Sequence, residues 1–211
     1  MKTGKVGKFY RFIRPIGAAI MWLLFRPQLI CTCGALPEGA FIGCANHISM
    51  WDPYAIAALF LPKVTFFLSK SELEKNKLIG AFLRSLGAIP VDRGTADHSA
   101  IRTCMSVIND GNIITIFPEG TRNKKRDPAL LPFHKGFALI AAKTNAPCIP
   151  LYVDMKNAYK PFHRLKVYAG DPVSVADILR SGRINAEGLT RFTEEIRIRI
   201  LQLRDISERD L

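Results

Sequence analysis

Three observations predict a single α/β domain with a mainly parallel or mixed sheet flanked by helices. Short apolar runs of strand length alternate with helical stretches, the pattern that builds a sheet from crossover units. The 211 residues suit one domain, and 48% hydrophobic content suffices for a sizeable core. Chemically distinctive residues fall just after the expected strands, at the edge where α/β sheets bind ligands.

Residues 1–30 read as a separate N-terminal segment. Lys2, Lys5, Lys8, Arg11, Arg14 and Arg26 carry half of the net charge of +12, with no acidic residue among them. Phe9, Phe12, Ile13, Ile16, Ile20, Leu23 and Leu24 recur at three- and four-residue steps, and Tyr10 and Trp22 add amphipathic aromatics. The unbroken apolar run is short of the roughly 20 residues a spanning helix needs. Arg26 and Pro27 stand where a signal peptide would need small residues. The expectation is an amphipathic membrane-interface helix on an anionic membrane surface. A first helix packed on the domain is the alternative.

Residues 31–211 form the α/β domain. Strands are expected over 40–45, 64–68, 88–91, 113–117, 148–153 and 165–169, where short apolar runs are bounded by turn residues. Helices are expected over 54–61, stopping at Pro62, and from 72 to 86, stopping at Gly87. Further helices are expected over 97–109, 136–143 and 187–204. Asp52 and Pro53 suit the N-cap and first-turn positions of the first of these.

Composition excludes several functions. Cys31, Cys33, Cys44, Cys104 and Cys148 are odd in number and lack Cys-x-x-Cys spacing, so neither a disulfide framework nor a zinc site is expected. Cys104 and Cys148 read as packing residues of a reduced, intracellular protein. His98, His134 and His163 have no metal-ligand spacing and read as surface or loop residues, and no metal or cofactor is expected. Beyond the N-terminal segment, the basic residues cluster only at Arg122, Lys124, Lys125 and Arg126. No basic stripe interleaved with aromatics is present, so nucleic acid is not an expected partner.

Two strings carry chemistry: Asn46-His47-Ile48-Ser49-Met50-Trp51-Asp52 and Phe117-Pro118-Glu119-Gly120-Thr121-Arg122. A histidine titrates near pH 6.5 when unperturbed, which suits a base at physiological pH. His47 is read as that base, with Asp52 holding its other ring nitrogen; simple capping is the alternative for Asp52. Asn46 is expected to position the loop, and Ser49 to be a loop or cap residue, not a nucleophile. The guanidinium of Arg122 matches a phosphate with paired hydrogen bonds. Gly120 would let backbone approach a substrate closely. Glu119 either binds a substrate hydroxyl or fixes the loop.

In this order and separation the two strings resemble the glycerolipid acyltransferase superfamily, and within it the 1-acyl-glycerol-3-phosphate (lysophosphatidate) acyltransferases. Gly87-Ala88-Ile89-Pro90-Val91-Asp92-Arg93 and Ala146-Pro147-Cys148-Ile149-Pro150-Leu151-Tyr152-Val153 fit the remaining blocks. The resemblance spans about residues 35–170 and departs at Asn123, where a serine commonly follows the arginine. It implies transfer of a fatty acyl group from acyl-CoA or acyl-carrier protein to the sn-2 hydroxyl of a lysophospholipid acceptor. The product is phosphatidate; glycerol-3-phosphate or another lysophospholipid is the alternative acceptor. The resemblance makes His47 and Asp52 catalytic and assigns Glu119, Gly120, Thr121, Arg122, Arg93 and Lys70 to substrate binding. For Arg93 and Lys70 an ordinary surface role is the alternative. The resemblance also lets Pro150 shape the acyl site, although 148–153 reads mainly as core strand. The expected location is the cytoplasmic face of a membrane, as a peripheral or monotopic protein.

Overall fold

The first helix of the computed structural model, α1 (Lys8–Phe25), carries two apolar stripes. Tyr10, Ala18, Met21 and Phe25 are buried, and the helix packs along α2 (Asp52–Leu59). Phe12, Ile16, Ile20 and Leu23, at the same three- and four-residue spacing, remain exposed. Both stripes occupy one helix because its apolar residues outnumber what a single contact can cover. The structure describes residues 7–92, 97–125, 127, 129–156, 159–178 and 184–210. No helix among them is long and apolar enough to cross a membrane.

Seven strands form one mixed sheet: β1 (Gln28–Cys31), β2 (Ile42–Ala45), β3 (Thr65–Lys70), β4 (Ala88–Val91), β5 (Ile113–Ile116), β6 (Cys148–Val153) and β7 (Lys166–Ala169). Their spatial order is β1-β7-β6-β2-β5-β3-β4. β6, β2, β5, β3 and β4 are parallel; β7 runs against β6, and β1 runs parallel to β7. All residues of β2, β5 and β6 are buried, as expected for central strands of a parallel sheet. β1 was not expected, and the division at residue 30 falls inside it.

Crossover direction places the site. From β2 through α2 to β3 the chain moves toward the β4 edge. From β4 through α4 (His98–Asn109) to β5, and through α5 (Gly136–Thr144) to β6, it moves back. Right-handed crossovers therefore put α2 on one face and α4 and α5 on the other. The loops leaving the neighbouring strands β2 and β5 diverge to opposite faces and open a crevice at the carboxyl edge. On the second face, α7 (Ala186–Arg209) covers β6 and meets α5 through Phe137 and Phe192, whose rings are 6.0 Å apart. A short α6 (Val175–Ile178) precedes α7.

Two helix starts differ from expectation, each for a local reason. The helix expected over 72–86 is divided into a 3-10 turn, Ser71–Lys75, and α3 (Lys77–Ser85). Asn76, in an extended conformation, accepts hydrogen bonds from the Leu78 and Ile79 amides and so starts a new helix. Asp52 is not a cap: Trp51 occupies that position, and α2 begins at Asp52 itself. α4 starts as expected, with the Asp97 side chain accepting from the Ser99 and Ala100 amides at 3.0 Å each.

The Ala100 and Asp92 amides hold the Asp97 carboxyl down to about 2, below its ordinary 3.8. A depressed carboxyl stabilises the fold above its unfolded value, and that stabilisation fades as pH falls through about 2. Asp97→Ala should lower unfolding free energy by about 1 kcal/mol at neutral pH. Urea unfolding should show parent and variant apart at pH 7 and converging below about pH 2.

Candidate active site

The register of the central strands sets the site. Cys44 of β2 pairs with Ile116 of β5, so His47 and Glu119 each stand three residues beyond paired positions. Their loops meet through two hydrogen bonds, one to the Glu119 carboxylate and one between main-chain groups. The His47 amide donates to Glu119 Oε1 at 2.8 Å, and the Asn123 amide donates to the His47 carbonyl at 2.6 Å. The His47 ring stacks on Phe117, with centroids 4.3 Å apart.

Asp52 is fully buried, whereas the His47 side chain keeps 16% exposure. Asp52 Oδ2 lies 2.7 Å from His47 Nδ1 and accepts from the Ile48 and Ser49 amides at 2.8 and 2.9 Å. Oδ1 accepts from the Tyr159 hydroxyl at 2.6 Å. The carboxylate thus folds its own upstream loop around itself. It orients the imidazole so that Nδ1 carries the shared proton and Nε2 presents a lone pair. Burial and the Asp52 charge push the Tyr159 hydroxyl well up, which keeps it the donor.

Glu119 is 2% exposed, and both its oxygens accept main-chain amides: His47 on Oε1, and Leu131 on Oε2 at 2.9 Å. Burial raises its titration point, opposed by those two amides. Its position is that of a strut that ties the β2–α2 loop to two points of the β5–α5 loop.

Asn46, also fully buried, exchanges hydrogen bonds with the main chain of Val153 at 3.1 and 2.7 Å and so anchors the loop to β6. The Ser49 hydroxyl accepts from the Trp51 amide, a turn role.

Gly120 has φ +65°, and a Cβ there would stand 2.7 Å from the His134 ring. The left-handed backbone strains any side chain there, and a Cβ would oblige the exposed His134 ring to shift. Thr121 and Arg122 are exposed on the same loop. Asn123, where the sequence departs from the resemblance, is 2% exposed. It closes its turn by reciprocal hydrogen bonds with the Asp127 main chain at 2.9 and 3.0 Å. Lys70 is the exposed last residue of β3, two strands and therefore about 10 Å from β2 at the same edge. Arg93 lies outside the described residues, as does Arg126.

His98, His134 and His163 are exposed. Cys104 and Cys148 are fully buried, and Pro150 sits within β6, all of whose residues are buried. Among the described residues, no group of three His, Cys, Asp or Glu side chains is placed to hold a metal ion.

Next to the histidine loop lies an apolar cavity of about 440 Å³. Its walls include Tyr10, Gly17 and Met21 of α1, Tyr54 of α2, Phe67 of β3 and Phe82 of α3, with Met50 and Trp51 at the loop. Its wall adjoins the loop that carries the dyad, and it offers an aliphatic chain apolar surroundings.

Residues 31–154 match the sequence profile of the Acyltransferase family. The chain belongs to this family. The 1-acyl-sn-glycerol-3-phosphate acyltransferase of Bacillus subtilis (strain 168) is 30% identical over 169 residues, covering 79% of this chain and 82% of that protein. The enzyme of the same name from Streptococcus pneumoniae (strain ATCC BAA-255 / R6) is 26% identical over 202 residues, covering 92% of this chain and 73% of its own. The crystal structure of the 1-acyl-sn-glycerophosphate (LPA) acyltransferase PlsC from Thermotoga maritima superposes with a TM-score of 0.59. It is 25% identical and covers 92% of this chain and 78% of its own. The shared α/β architecture extends well beyond the two motif strings.

Proposed function

We propose that the protein transfers a fatty acyl group from an acyl thioester, on coenzyme A or acyl-carrier protein, to the sn-2 hydroxyl of 1-acyl-glycerol-3-phosphate, forming phosphatidate. The observation that carries this reading is the 2.7 Å contact from His47 Nδ1 to Asp52 Oδ2 beside an apolar cavity. The names of the relatives support the choice of acceptor.

In this reading the acceptor hydroxyl gives its proton to His47 Nε2 as its oxygen attacks the thioester carbonyl. Asp52 stabilises the imidazolium that forms. The tetrahedral intermediate collapses, the carbon–sulfur bond breaks, and the imidazolium returns its proton to the departing thiolate as free thiol. The nucleophile belongs to the substrate, so no acyl-enzyme is formed. Arg122 binds the acceptor phosphate from the Glu119 loop, with Lys70 and Arg93 as further cationic groups after their strands. Glu119, with both oxygens on amides, holds the His47 loop against the phosphate loop.

In this reading the protein works on an anionic membrane surface, where the acceptor resides, and the exposed Phe12, Ile16, Ile20 and Leu23 stripe of α1 supports it. Buried methylenes contribute about 0.8 kcal/mol each, and each basic residue near the leaflet about 1 kcal/mol. Binding therefore needs no spanning helix.

His47→Ala should reduce thiol release from acyl-CoA with lysophosphatidate by about a hundredfold or more, with an unchanged circular dichroism spectrum. Retention of more than a few per cent of activity would refute the base assignment. Arg122→Ala should chiefly raise the acceptor KM; an unchanged acceptor KM would remove its phosphate role. Glycerol-3-phosphate and lysophospholipids with larger headgroups, assayed alongside, test the acceptor.

A further inference from the structure

Exposed apolar side chains from three separate segments border one cavity. Ile16 and Ile20 of α1, Met50 and Trp51 of the histidine loop, and Phe82 of α3 line it, and each is 41% to 62% exposed. One turn before Phe82 stands Leu78, 83% exposed, beside Ile79 at 46%. A face this apolar gains nothing from folding and is unfavourable against water.

Cationic groups surround it. Lys70, Lys75 and Lys77 are exposed around α3, where Arg84 pairs with Glu74 and Glu72 is the one exposed acid over 70–85. At the far end of α1, Arg26 and Arg164 flank a second cavity beside Trp22.

We propose that α3 is a second membrane-inserting element. Its Leu78, Ile79 and Phe82 enter an anionic phospholipid leaflet together with the exposed stripe of α1, and the apolar cavity opens between the two helices. The inference rests on the membrane-facing reading of α1 and extends it. Two features select a leaflet as the occupant. The basic surround complements anionic headgroups. The apolar residues form a rim around a cavity mouth, so a lipid chain could pass between leaflet and cavity without crossing water.

The test is co-sedimentation of the full chain with vesicles of equal parts phosphatidylcholine and phosphatidylglycerol. Leu78 does not line the cavity, and Leu78→Asp should reduce partitioning roughly tenfold or more, the loss of one leucine-sized burial. Turnover of a short-chain, monomeric lysophosphatidate should be unchanged. Leu23→Asp on α1 serves as the comparison. Loss of partitioning in Leu23→Asp alone would overturn the role of α3 and leave the α1 reading standing; loss in neither would overturn both. If Leu78→Asp instead weakened binding to acyl-carrier protein, or dissociated a dimer, with vesicle binding intact, the face would belong to a protein and the proposal would fail.

A different observation carries a second inference. Among the described residues the Tyr159 hydroxyl is the one donor on Asp52 Oδ1, and the segment bearing it is fastened to the end of α1. Phe162 and Leu165 amides donate to the Leu24 and Phe25 carbonyls at 2.7 and 2.8 Å, and the Phe25 ring meets Tyr159 edge-on at 5.2 Å. We infer that Tyr159 is a positioning residue that holds Asp52, and through it His47, in register. Tyr159→Phe keeps the ring contact and the left-handed backbone at φ 61°, removing only the hydroxyl. It should lower kcat roughly tenfold with both KM values unchanged, measured well below the melting temperature. An unchanged kcat would overturn the role, whatever happened to stability.

Discussion

The Asp52 carboxylate lies wholly inside the protein and accepts, among the described residues, from four donors: one imidazole, two loop amides and one phenol. A buried carboxylate without partners is strongly unfavourable, and these donors together offset the burial of Asp52, the Ile48 and Ser49 amides remaining when any one side chain is removed. The constraint also locates the His47 imidazole. The imidazole is held by the same oxygen that gathers the Ile48 and Ser49 amides, so loop shape and ring orientation are set together. Glu119 does for the second loop what Asp52 does for the first, spending both oxygens on main-chain amides instead of on cations.

Sheet topology explains why those two carboxylates meet. β2 and β5 are hydrogen-bonded neighbours whose loops depart to opposite faces, and the crevice lies at their carboxyl edge. The α2 face adds an apolar cavity, closed partly by α1, whose inner stripe packs on the domain while its outer stripe stays exposed. The two earlier alternatives for the first helix concern different faces of the same cylinder. Its packing on the domain is visible directly; lipid contact concerns the opposite stripe.

Local chemistry was legible in the sequence where it depends on short spacing. His47 and Asp52 reach each other across a single loop, and Asp97 precedes a helical pattern; both are nearest-neighbour problems. The central strands were legible from their apolar runs. β1 was not, because four residues after a proline carry no alternation that marks an edge strand. Nor was the break at Asn76, where one side-chain cap outweighs continued helical periodicity. Tyr159 gave no signal at all: it lies 107 residues from its partner, in a segment without any recognisable motif. The anchoring of Glu119 was hidden for another reason, since its partners are amides and every residue but proline has one.

The reversed direction of β7 bears on how such a site can be elaborated. Because β7 returns antiparallel to β6, the connection over 154–165 begins and ends at the carboxyl edge and never crosses the sheet. β1, parallel to β7, likewise starts at that edge, which brings the last turn of α1 there too. A sheet of uniform polarity would have sent both segments to the far rim. One inverted pair of strands thus supplies an extra wall beside His47 and Asp52, and changes in that wall's length away from Tyr159 can be accommodated without disturbing the strands that lead into the site.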